Sequence, residues 1–241
     1  MKTFFISDLH LSQNTPTVTA LFKHFIETIF KAGDQLFILG DFFEYYLGPD
    51  LLDVIQLEVL NKLKDLTKQG SIIYFMQGNR DFLINAKTLA QYHITFLPDP
   101  SSITLNGKSI LLSHGDILCT EDLQYQRYRK LAHLSIVQWL FLHLPRSLRL
   151  KIAKGIHNQN PHKEAIQDPH YSLADATPDA IEKMLAHYQP EVLIYGHVHK
   201  MGQYEHDQTT RLVLGDWYTT GNYLELSSAG IKAEIFSLPT T

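Results

Sequence analysis

Five short apolar runs, each closed by a cluster of Gly, Asp, Asn or His, constrain the fold of this chain more than any other feature. Thr3 to Ile6 runs into Asp8-Leu9-His10, and Leu36 to Leu39 into Gly40-Asp41. Ile72 to Phe75 is followed by Gly78-Asn79-Arg80-Asp81, and Ile110 to Leu112 by His114-Gly115-Asp116. Val192 to Tyr195 is followed by Gly196-His197-Val198-His199. Apolar runs of this length bounded by turn residues read as buried strands. Between the first three, Val18 to Lys31 and Leu51 to Lys68 carry apolar residues at helical spacing, among them Leu21, Phe22, Phe25, Leu60 and Leu63. Strand alternating with helix predicts a layered α/β domain. Arg211 to Leu214, Asn222 to Leu226 and Lys232 to Phe236 are short, β-rich and separated by glycine-containing turns, which predicts a closing strand meander.

Ligands in layered α/β folds gather at the carboxyl ends of strands. Pooled there, the five clusters supply two Asp (Asp8, Asp41), Asn79 and four His (His10, His114, His197, His199). A mixed oxygen and nitrogen set with no thiolate suits Mn²⁺, Fe²⁺ or Zn²⁺ better than an all-oxygen Ca²⁺ cage. Seven donors exceed one ordinary coordination shell, but two metals sharing one carboxylate would use them all. Asp-x-His or Gly-Asp alone is most often a strand-end turn. The force lies in five such clusters in order, each behind its own apolar run.

The 241 residues are 44% hydrophobic and 19% charged, enough for the core of one domain, expected to span residues 1–241. That composition excludes a disordered tail, a collagen-like repeat and a disulfide-stapled miniprotein. The one cysteine, Cys119, has no internal partner and reads as a small buried residue. The first residues, MKTFFISDLH, lack the apolar core of a signal peptide, and no apolar run reaches the ~18 residues of a membrane span. A cytoplasmic protein is the expectation. Residues 123–163 contain no Asp or Glu and eight basic residues, which leaves 13 basic against 25 acidic in the rest. Such a block implies an anionic partner. Its apolar residues from Leu123 to Leu144, uninterrupted by Gly or Pro, predict a helix ended by Pro145, with a second basic segment from Arg146 to Lys154.

The ordered set of clusters resembles the calcineurin-like metallophosphoesterase superfamily. The resemblance implies an α/β fold with a central β-sandwich flanked by helices, here with an inserted helical cap over 123–165. It also implies two metals at the strand ends. Asp8, His10, Asp41 and His199 would hold one; Asp41, Asn79, His114 and His197 would hold the other, with Asp41 bridging. Three longer stretches narrow the likeness: ILGDFFEYYLGPD (38–50), SHGDILCTEDLQYQRYRK (113–130) and LGDWY (214–218). They are similar to the UDP-2,3-diacylglucosamine hydrolases of lipid A synthesis. That likeness implies a hydroxide, activated by two Mn²⁺ ions, attacking the α-phosphorus to give UMP and 2,3-diacylglucosamine 1-phosphate.

Arg80, next to Asn79, can reach the same phosphate and neutralise charge that develops on it. Arg80, Asn79 and Asp41 are therefore the expected catalytic set. Carried over, Asn79, Arg80, Asp122 and His197 would contact the substrate, Asp122 at the glucosamine. On the cap side, Asn160 and Lys163 are the candidates, although Pro161 interrupts the family's helical pattern there. A basic apolar cap can shelter acyl chains or rest on an anionic membrane surface. The expectation is a monomer bound peripherally to the cytoplasmic face of the inner membrane, without nucleic acid. The rival readings are a soluble phosphoesterase for dinucleoside polyphosphates or cyclic nucleotides, and a metal-free binding scaffold.

Overall fold

The computed structural model describes residues 1–158 and 175–239. Two sheets face each other. The first contains β1 (Thr3–Ile6), β2 (Gln35–Leu39), β3 (Ile72–Met76), β4 (Thr95–Leu97), β10 (Gly221–Ser227) and β11 (Gly230–Phe236), in the order β11-β10-β1-β2-β3-β4. The second contains β5 (Ser101–Leu105), β6 (Lys108–Ser113), β7 (Val192–Tyr195), β8 (Gly202–His206) and β9 (Thr209–Val213), in the order β5-β6-β7-β9-β8. The strands β1 to β4 pair in parallel, as do β6, β7 and β9.

Alternation along each strand builds the layers. Phe5, Phe37 and Leu39 point inward and meet Ile110, Leu112, Ile194 and Leu212 between the sheets. Phe4, Ile6, Leu36 and Ile38 point outward onto α1 (Pro16–His24) and α2 (Val54–Lys68). Leu111, Leu193 and Val213 cover the far face with Ile181 and Leu185 of α7 (Pro178–Tyr188). Strands covered on both faces read as continuous apolar runs, which is why these were legible.

The helices differ in their ends from the expectation. Pro16 opens α1 two residues before Val18, and the helix widens into a π-helical turn at Phe25–Ile29. Asp53 and Gln56 form a reciprocal capping box, so α2 begins at Val54 and not Leu51. A short helix, α3 (Ala86–Ala90), leads into β4. The expected terminal meander is absent. β9 forms a hairpin with β8 in the second sheet, while β10 and β11 form a separate hairpin in the first, set antiparallel against β1.

The acid-free block is helical: α4 (Leu123–Ala132), α5 (Ser135–Leu142) and α6 (Arg146–Asn158). The expected helix to Leu144 is broken at His133-Leu134, without Gly or Pro. Tertiary contacts explain the break: the His133 ring packs on Phe82, and Gln138 of α5 donates to the Phe82 carbonyl. Two arginines, the half-buried Arg129 and the buried Arg149, fasten the roots of the block. Arg129 donates from Nε to Asp116 (2.6 Å) and from Nη2 to Asp99 (3.0 Å). Arg149, 2% exposed, donates to the Leu47 carbonyl (2.6 Å) and to Asp50. Asn160 and Lys163, and the expected end of the insertion at 165, lie outside the described residues.

Candidate metal centre

The loops after β1 and β2 are zipped together beyond the sheet. Asp8 N donates to Gly40 O (3.1 Å), His10 N to Asp41 O (2.9 Å) and Leu11 N to Phe42 O (2.9 Å). Backbone φ is positive at Asp8 (57°), His10 (53°), Asp41 (49°), His197 (67°) and His199 (56°). Asp and His tolerate this left-handed region better than most residues, yet each such residue stores roughly 1 kcal/mol or more. Five strained residues converging on one point mark a site that the surrounding structure holds in place. At Gly40 (φ +88°) an added Cβ would sit 2.6 Å from His114 Nδ1 and 2.7 Å from Gly78 Cα. Only glycine lets the loops after β2 and β3 approach so closely.

Two groups of donors could each hold a metal ion: Asp8, His10 and His199, and Asp41, His114 and His197. In the first, His10 Nε2 and His199 Nε2 are 3.4 Å apart, and His199 Nε2 is 3.4 Å from Asp8 Oδ1. In the second, His114 Nε2 is 3.1 Å from Asn79 Oδ1, and the His114 and His197 ring centres are 5.0 Å apart. Asp41 reaches both: Oδ2 lies 3.8 Å from His10 Nε2, and Oδ1 lies 3.7 Å from His114 Nε2. The sequence placed all seven residues at strand ends, and the fold brings all seven to one point.

The residues fit divalent cations. Asp8 Oδ1 is buried and has no hydrogen-bond partner, which is costly for a carboxylate oxygen unless a cation meets it. His114 Nδ1 lies 2.9 Å from the Leu39 carbonyl, and its donation there leaves Nε2 to face Asn79 Oδ1. Burial disfavours an imidazolium at His114, yet Asp41, Asp116 and Asp8 push it up to about 9. The carboxylates therefore call for positive charge at this point, which a metal would supply. Burial and the neighbouring His114 push His197 down to about 3, so it is held as the neutral ring that a metal requires. Burial opposes ionisation of Asp8, but His199, His114 and His10 hold its carboxyl well below the usual range. Ser7 Oγ and the His197 amide both donate to its Oδ2.

Arg80 donates from its amide to Asp41 Oδ1 (2.8 Å), and its side-chain Nε is buried without a partner. Arg80 Nη1 lies 3.7 Å from Glu44 Oε1. Asp81 is wholly buried and accepts from the amides of Gly78 (2.8 Å), Phe42 (2.9 Å) and Phe43 (3.2 Å), tying the loops after β2 and β3 together. Burial, with Asp41 nearby, pushes it up to about 7. Asp122 caps α4, accepting from the Tyr125 amide (2.8 Å). Burial pushes the Cys119 thiol up to about 12, so it is an unreactive packing residue.

Three residues of the site had no role assigned from the sequence, although Glu44 stood out beside the metal motif in the stretch 38–50. Glu44 Oε2 lies 3.2 Å from His10 Nδ1, and Tyr218 stacks on His10 (5.8 Å between centres, 17°). Tyr125 stacks on His197 (6.1 Å, 24°) while its hydroxyl donates to Asp116. Glu44 and Tyr218 sit in stretches 38–50 and 214–218, but only the fold turns them toward the histidines. Trp217 belongs to the core and is wholly buried against Phe25 and Phe236.

A family model described as calcineurin-like phosphoesterase matches residues 1–201. A UDP-2,3-diacylglucosamine hydrolase of Histophilus somni is 41% identical over 238 residues, 96% of this chain and 98% of that protein. The protein of the same name in Pasteurella multocida is 41% identical over 229 residues, 94% of each chain. That of Aeromonas salmonicida is 38% identical over 246 aligned positions, 100% of this chain and 95% of that protein.

Proposed function

We propose, because the chain belongs to the calcineurin-like phosphoesterase family and within it to the UDP-2,3-diacylglucosamine hydrolases, that it cleaves UDP-2,3-diacylglucosamine at its pyrophosphate bond. The products are UMP and 2,3-diacylglucosamine 1-phosphate, in the synthesis of lipid A. The observation that carries this reading within the structure is the pair of donor clusters with Asp41 between them. Asp8, His10, Asp41 and His199 would hold one divalent ion, and Asp41, Asn79, His114 and His197 the other, with Mn²⁺ matched to the mixed donors. Such ions, when bound, acidify water to a nucleophile near neutral pH and polarise phosphoryl oxygens.

The chain's own residues then bind and orient. Arg80, with its Nε unpartnered, presents a guanidinium to the pyrophosphate and offsets charge that grows on its oxygens. Asn79 and His197 flank the same phosphate, and Asp122 reaches the glucosamine. The leaving group is a phosphate monoester, a stable anion that requires no strong acid. Asn160 and Lys163 would contact the acyl-glucosamine from the cap side.

The insertion over 123–165, helical where it is described (α4 to α6), acts as a cap within a single domain. Its middle helix, α5, has no buried residue, and Leu131, Ile136, Trp139 and Leu140 are all more than half exposed beside Arg127 and Lys130. A basic apolar surface of this kind supports acyl-chain contact and peripheral attachment of a monomer to the anionic inner membrane. No helix among the described residues is long and apolar enough to cross a membrane.

A product assay in water enriched in heavy oxygen tests the reading. Label in UMP, and none in the lipid phosphate, is expected for attack at the α-phosphorus. Faster turnover of a water-soluble dinucleoside polyphosphate than of the lipid nucleotide would refute the substrate assignment.

A further inference from the structure

We infer that Glu44 is a positioning residue that holds a metal-ligating His10 and the substrate-binding Arg80 at once, an inference that rests on the roles proposed above for those two residues. Its backbone is pinned where it must be. Glu44 N donates to Leu11 O (3.1 Å), and Leu11 and Phe43 form a parallel bridge, so Glu44 is carried on the strap that ties the two ligand loops. One carboxylate oxygen, Oε2, lies 3.2 Å from His10 Nδ1; the other, Oε1, lies 3.7 Å from Arg80 Nη1.

Each contact has a consequence. His10 turns Nε2 toward His199 and Asp41, so Nδ1 is on the far side of the ring. A carboxylate facing Nδ1 at 3.2 Å favours the tautomer protonated there, which leaves Nε2 its lone pair for a cation. Tyr218, stacked on the ring, fixes its plane, so Glu44 and Tyr218 together leave the imidazole one orientation. At Arg80 the carboxylate engages one end of the guanidinium while Nε stays unpartnered, which presents the fork to a phosphate instead of letting it fold away. The Glu44 side chain is only 24% exposed and Arg80 15%, so water screens the pair less than it would on the surface. A purely structural carboxylate would not join a ligand ring on one oxygen to the phosphate-binding cation on the other.

The test uses Glu44→Ala and Glu44→Gln in the full chain, alone and combined with Arg80→Ala. Binding of Mn²⁺ is measured without substrate, from the electron paramagnetic resonance of the free ion. Glu44→Ala is expected to weaken Mn²⁺ binding roughly 10–100-fold, and Glu44→Gln less, because its amide oxygen can still face Nδ1. With Mn²⁺ saturating and UDP-2,3-diacylglucosamine as substrate, Glu44→Ala should lower kcat/KM by about tenfold with Arg80 present and by less than ~threefold with Arg80→Ala. Unchanged Mn²⁺ affinity in a folded Glu44→Ala protein, or an equal loss of kcat/KM in both backgrounds, overturns the inference. If Glu44→Ala fails to fold, Glu44→Gln is put through the same cycle, and an additive result is equally fatal. The Mn²⁺ measurement contains no substrate, so it judges Glu44 even where the lipid nucleotide proves not to be turned over.

Discussion

His10 and His199 lie 189 positions apart in the chain and bring their Nε2 atoms within 3.4 Å of each other. Two ring nitrogens cannot aim lone pairs at one another at that distance without a proton or a cation to share. Asp8 Oδ1, 3.4 Å from His199 Nε2 and otherwise unpartnered, adds negative charge to the same point. Apo protein must therefore hold strained backbone and unmatched charge together with folding energy alone. Mn²⁺ should stabilise it by mass action, about 2.7 kcal/mol at a hundred times Kd, and raise the thermal midpoint. His10→Ala and His199→Ala should shrink the rise seen by differential scanning calorimetry. An equal rise in both variants would separate these residues from metal binding.

Among the described residues, Arg80 meets the candidate metal donors only through its backbone amide on Asp41, while its side chain pairs with Glu44. Arg80→Ala should thus leave bound metal unchanged, measured by elemental analysis, while kcat falls on the order of a hundredfold. Asp41→Ala removes the oxygens that face both clusters and should abolish turnover with Mn²⁺ present. Parallel loss of metal and activity in Arg80→Ala would show that its role is structural.

Gly40 combines a φ of +88° with a Cβ direction that ends 2.6 Å from His114 Nδ1. Gly40→Ala should displace the His114 ring and separate the loops after β2 and β3. A loss of about 3 kcal/mol or more in urea unfolding is expected, with metal affinity falling alongside it. A variant with wild-type stability and metal binding would contradict this packing.

His133, at the break between α4 and α5, is held neutral. Burial, and then Arg129 nearby, push it down to about 4 from the ordinary 6.5. The unfolded chain takes up the proton first as pH falls. His133 therefore contributes its full stability above about 6.5, and this contribution is lost as pH drops toward 4. His133→Gln should narrow the difference between urea midpoints measured at about pH 7.5 and about pH 5. An undiminished difference would mean that the ring is not desolvated.

What the sequence revealed, and what it withheld, follows from burial. β1, β2, β6 and β7 stand between two covered layers, so their apolar runs and the donors behind them could be read directly. β8 (GQYEH) and β5 (SSITL) are part-exposed edge strands that mix polar and apolar residues, and they gave no such signal. β9 was visible as a strand, but nothing in Thr209–Val213 says that it joins β7 in the second sheet. The helix break at His133 is imposed by Phe82, fifty-one positions earlier, and has no local marker. The candidate metal donors could be picked out because Asp and His at strand ends have few other uses in such number. Glu44, Tyr125 and Tyr218 are ordinary loop and helix residues until the fold turns them onto His10 and His197.

Anomalous diffraction from crystals grown with Mn²⁺, at the manganese absorption edge, is the decisive test of the paired metal centre. Two peaks about 4 Å apart are predicted, one among Asp8, His10, Asp41 and His199 and the other among Asp41, Asn79, His114 and His197. An active enzyme whose crystals show no peak between these side chains, or show manganese only elsewhere, would contradict it.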